Sequence, residues 1–358
     1  MRAGLISIAL AASATPAAAD VELGAAVGAG GQGDASYGGL EARLDAELGP
    51  ARIGLGARAV WLDGELRDDW QRPRDAIRII RLFELALFDG HVAVAAGGLT
   101  PTQLAHVADG HRASLDDRPR TGARAAATGG SLALALELDD VLDPSLAGGA
   151  LAWQLAEPWI VRGAAAVDPS LGEVAIELGG ARRWQADDAR LELGGAGIGE
   201  PGFGYAALAF ADATIDRGDI RFTGNAELRA GSGSVGAAFG ALHRLERREI
   251  YARSQRGVGG AMAIGIAAPA GWLRASLRMR PGLGELVTVT AGAPAGRWIQ
   301  AGAWFAATER VVAGAGELRV AWARRYASVF ELARMYDTDA MDPAPAWSVT
   351  AWFAATLH

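Results

Sequence analysis

The chain has no cysteine among its 358 residues. Neither a disulfide framework nor a thiolate metal site is open to it, so packing and backbone pairing must supply its stability. Lysine is absent too: all 34 basic residues are arginine, mixed among 41 acidic ones for a formal net charge of −7. No basic patch stands out, which argues against a nucleic-acid partner. Histidine is sparse, at His91, His106, His111, His243 and His358, and no two stand at the i, i+4 spacing of a helical zinc motif. The Gly-rich run from Gly194 to Gly204 follows a strand-like segment and opens no helix, as a phosphate loop would. These absences leave no catalytic residue, metal site or cofactor to assign. Beyond Asp20 there is also no uninterrupted apolar stretch long enough for a spanning helix, and no convincing 3.6-residue periodicity.

What the chain does have begins at its start. Met1-Arg2 is a short basic opening, Leu5 to Ala12 is mostly apolar and uncharged, and Ala17-Ala18-Ala19 precedes Asp20 as a small-residue cleavage site. This pattern reads as a secretory signal peptide over 1–19, followed by one domain over 20–358 that works beyond the inner membrane. That domain is rich in apolar residues, 51% of the sequence, although 21% is charged.

The apolar residues alternate with the charged ones. From Ile220 to Ala230, Phe222, Ala226 and Leu228 fall on one face and Arg221, Glu227 and Arg229 on the other. Eleven residues at ~3.4 Å each, tilted by ~45°, rise roughly 26 Å, which matches the ~25 Å apolar band of an outer-membrane barrel. If lipid is present the apolar face must point to it, so Phe222 and Leu277 are expected outside and Arg221 and Arg278 inside. The same alternation recurs in Gly39 to Leu48, in Ile53 to Trp61 around Arg52 and Arg58, in Leu273 to Arg280 around Arg274, Arg278 and Arg280, and in Leu318 to Trp322 around Arg319. Those nine charged residues, Arg52, Arg58, Arg221, Glu227, Arg229, Arg274, Arg278, Arg280 and Arg319, are the expected pore lining.

Turn signals separate the arms. Gly49-Pro50 closes one hairpin and Asp89-Gly90 another between arms 76–88 and 91–97, with Arg81 breaking the alternation as a bulge would. Long connections follow the first, third and fifth arms and precede the last. The pattern predicts an all-β fold, a transmembrane antiparallel meander β-barrel of about 18 strands, with 16 to 20 compatible. A periplasmic or secreted all-β protein, such as a propeller, is the alternative. It is disfavoured because the apolar faces are largely Ala and Gly, enough to meet lipid but poor in the bulk that fills a core. Trp61, Trp159, Trp184, Trp272, Trp298 and Trp347 near strand ends suit aromatic girdles.

On these residues the chain resembles the Gram-negative outer-membrane barrels, porins in particular. Its last segment alternates Trp347, Val349, Ala351, Phe353, Ala355 and Leu357, although it ends in Leu357-His358 without the usual terminal aromatic. The resemblance implies an outer-membrane location, contact with lipid and with the barrel-assembly machinery, and a channel for passive diffusion of small polar solutes. A non-channel barrel serving as anchor, adhesin or binding protein is the second reading, and a barrel enzyme the third. In 16-stranded porins the loop after the fifth strand folds into the barrel, with acidic residues facing arginines. Here that loop is Leu99 to Gly122, and the resemblance points to Asp109, Asp116 and Asp117 as its constriction residues.

Overall fold

The computed structural model describes residues 20–32, 34–67, 69–98, 102–111, 120–202, 204–232, 239–240, 256–280, 284–295, 298–323, 326–336 and 345–357. The expected signal peptide over 1–19 lies outside them. The alternation seen in the sequence becomes one antiparallel sheet in which each long strand pairs with the next. The first strand, Asp20–Gln32, also pairs with the last, Pro345–Leu357, from Leu23↔Leu357 to Gln32↔Ser348. Closure makes a meander barrel of 20 strands, at the top of the expected range. The two-residue strand Glu65–Leu66 only prolongs one edge.

The hairpins at Gly49-Pro50 and Asp89-Gly90 form as expected, with Leu48↔Ala51 and Leu87↔Val92 as their closing pairs. Gly49 sits at φ +61° and Gly90 at φ +83°, where a Cβ would be strained. Arg81 is the extra residue of a bulge: Gly54 faces Leu82 and Leu55 faces Ile80. The arm expected from Ala76 starts later, at Ile80, because residues Pro73–Ile79 form a 3-10 helix. Pro73 presets φ there, and the Asp75 carboxylate accepts the Arg72 backbone N–H at 2.8 Å.

A second correction concerns the first connection. A long connection was expected after the first arm, but Asp20–Gln32 is one continuous strand whose last residue, Gln32, already pairs with Ala35, the first of the next. The glycines are needed there for close approach: a Cβ on Gly30 would sit 1.7 Å from the Val349 carbonyl oxygen. The other connections sort by rim. At the rim holding Asp20 and Leu357 the turns are short, as at 130–131, 157–158 and 218–219. The strand ends at the opposite rim are the ones joined by the long connections 63–79, 98–121, 233–255 and 337–344.

Candidate functional site

The inner face is identified by what packs on it. Residues 102–111 turn back from the fifth strand into the lumen, where Leu104, Val107 and Ala108 are fully buried against the inward Ala164, Ala175, Ile198, Leu208 and Phe210. Small residues on these strands leave room for the inserted segment. Its tip is fastened by charge. The Glu177 carboxylate, 2% exposed, accepts the His106 backbone N–H at 2.8 Å and lies 2.7 Å from His106 Nδ1. Arg229 Nη2 donates to the His106 carbonyl at 2.9 Å, and the His106 ring stands 4.6 Å from that of Phe210. Strand Ala108–His111 extends this small sheet by parallel pairing with Phe239–Gly240 from another long connection.

The same inward alternate carries the expected pore residues. Arg58 reaches Glu41 at 2.9 Å and Glu331 at 3.1 Å and stacks 4.5 Å from the Trp352 ring centre. Arg229 pairs with Glu227 at 2.7 Å, and Arg278 lies 3.9 Å from the same carboxylate. Arg274 lines the central cavity, and Arg319 pairs in register with Gln300 on the same inner side. Arg52 and Arg221 stand at the short-turn rim, half-exposed, with Glu47 and Asp216 as partners. Arg280 ends its strand opposite Gly284. Of the expected constriction residues, Asp109 pairs by its backbone with Gln103 and Gly240, while Asp116 and Asp117 fall outside the described residues. Expected in a girdle, Trp272 instead shares the inward alternate of Arg274 and lines the cavity, because its place in the register decides its face.

Sequence reasoning missed a second group of wall residues. Glu192, fully buried, gathers Arg162, Arg183 and Arg190, the latter two at 3.0 Å each. Arg124 and Glu137 pair at 2.6 Å on neighbouring strands. Their signal was in the alternation of Arg190-Leu191-Glu192-Leu193, but nothing local shows that three arginines converge. Together these walls enclose a cavity of about 1050 Å³ lined by His106, Arg162, Arg190, Asp212, Glu317 and Glu331, among others. The strand bearing Arg162 lies half-way round the ring from the strand bearing Glu331, so the ion pairs Arg162–Glu192 and Arg58–Glu331 stand on opposite walls. Such a lumen can bind, orient and sort polar solutes by charge.

The outer alternate is the inverse. Leu178, Val258, Ile264, Phe330 and Val349 are each at least half exposed, and the charged side chains described on this face, Arg182, Arg217, Glu285 and Arg334, stand near strand ends.

No family model matches the chain, and no curated protein matches it. Among solved structures it is similar to Pseudomonas aeruginosa OccK11 (OpdR), with 11% identity over 95% of this chain and 96% of that one and a TM-score of 0.40. It is also similar to the outer membrane protein OpdK of the same organism, at 10% identity, 95% and 99% coverage and a TM-score of 0.37. Likeness at this level adds nothing to what the barrel's own residues say.

Proposed function

We propose that this chain spans the outer membrane of a Gram-negative cell and is a channel through which small polar solutes diffuse passively. The observation that carries the reading is the inversion of polarity. A barrel in water exposes polar groups and fills its interior with bulk, whereas this one exposes Leu, Ile, Val and Phe and surrounds a cavity of about 1050 Å³ with arginine and carboxylate. Lipid outside and water inside satisfy both faces. A closed sheet also leaves no backbone edge to be solvated, as a membrane requires.

One observation favours the second reading, a barrel that anchors or binds without conducting. Residues 102–111 and Phe239–Gly240 fill part of the lumen. Planar-bilayer recording decides between the two. Stepwise, ohmic conductance from the purified protein supports the channel. Stable insertion with no conductance leaves the non-channel barrel, and failure to migrate in a heat-modifiable, detergent-resistant form removes both.

A further inference from the structure

We infer that Arg182, held between Trp159 and Trp184 on the outer wall, binds the phosphate of a membrane lipid headgroup. The site rests on the outer-membrane reading. Arg182 pairs in register with Trp159 across neighbouring strands, and Trp184 follows two residues on along the same face. Its guanidinium carbon lies 5.7 Å from the Trp159 ring centre and 5.0 Å from that of Trp184. The indoles fix the plane of the cation and neutralise none of its charge.

The carboxylate that faces the adjoining Arg183 in register is committed elsewhere. Glu192 lies on the inner alternate and takes Arg162, Arg183 and Arg190, while the outer neighbours of Arg182 on the adjoining strands are Val161, Leu191 and Leu193. A planar fork of N–H donors facing a lipid wall calls for an oxyanion from outside the protein, and phosphate matches it bidentately. The height is right as well. Arg182 stands three residues short of the strand end at Gln185, beside the exposed Trp153, Trp159 and Trp184 at the short-turn rim. An indole belt of this kind marks the headgroup layer.

The test is native mass spectrometry of the full-length barrel taken from vesicles of phosphatidylethanolamine and phosphatidylglycerol into mild detergent. The wild type is expected to keep bound phosphatidylglycerol, and Arg182→Gln to keep about tenfold less. Arg182→Lys, which keeps the charge and removes the fork, should fall between. Arg217→Gln, at an exposed arginine 3.4 Å from Asp188, should match the wild type. Added inorganic phosphate should not displace the lipid. Equal retention by the folded Arg182→Gln and wild-type proteins overturns the site, as does displacement by phosphate. Failure of the wild type to enter vesicles at all overturns the membrane reading instead, and the site with it.

Discussion

Arg58 Nη2 stands 3.1 Å from Glu331 Oε1, although the second, first and last strands of the barrel run between theirs. What joins them is Trp352, whose ring lies under Arg58 and whose Nε1 donates to Glu331. The indole fits because two strands offer no side chain beneath it. A Cβ on Gly28 would lie 2.5 Å from the ring and one on Gly39 would lie 2.4 Å from it. The seam where the barrel closes is thus stapled from within.

Overpacking should show at this staple. Gly39→Leu is expected to destabilise the barrel by about 1–3 kcal/mol. Trp352→Ala added to it should restore part of that loss, as coupled neighbours do. Urea unfolding in detergent micelles, followed by the shift between folded and unfolded gel mobility, gives both numbers; additive losses would mean the ring and Gly39 do not meet.

The inserted segment depends on Glu177. Glu177→Ala leaves the His106 backbone N–H without its acceptor inside the lumen, a loss of about 1–3 kcal/mol for a buried donor. The expected result in single-channel recording is a larger, noisier conductance as residues 102–111 loosen. A trace indistinguishable from the wild type would show that the apolar packing of Leu104 and Val107 holds the segment alone.

Charge in the cavity should set ion preference. Glu317→Gln removes a negative charge exposed to the cavity, and Arg319→Gln removes a positive one from the same inner alternate, two residues on along the strand. Reversal potentials in a salt gradient should move towards anions for the first and towards cations for the second. Shifts of the same sign would contradict the lining.

Which face meets lipid can be read with a thiol reagent, since the chain has no cysteine to interfere. Phe222→Cys and Leu277→Cys should resist a water-soluble maleimide in intact membranes, while Arg221→Cys, at a half-exposed lumen-side position, should react. Leu277→Arg is expected to cost about 2–4 kcal/mol if that position lies near the bilayer midplane.

Much of this could be read from the order of residues. Strand alternation is a property of two neighbours, so Arg58, Arg229 and Arg278 revealed their face without knowledge of any partner. The Arg81 bulge and the Gly49 turn are equally local. The rest depends on pairs far apart in the chain. Gly28 and Gly30 give no sign of their close approach until Trp352 and Val349 are placed against them, and His106 is an ordinary polar residue until Glu177, on a strand well downstream, receives it. Trp272 misled for a related reason: proximity to a strand end says nothing about side, which the register alone decides.

The pairing of Asp20–Gln32 with Pro345–Leu357 has a consequence for how the molecule is made. Its first strand finds one neighbour through a two-residue turn but must wait for nearly the whole chain before the other arrives. Contacts of such sequence separation are slow to form. Until then an edge of unpaired amides, rich in glycine and alanine, is open to any other extended chain. Pro345–Leu357 is the segment that ends that exposure, so damage there should appear first as misassembly and aggregation, before any change in permeation.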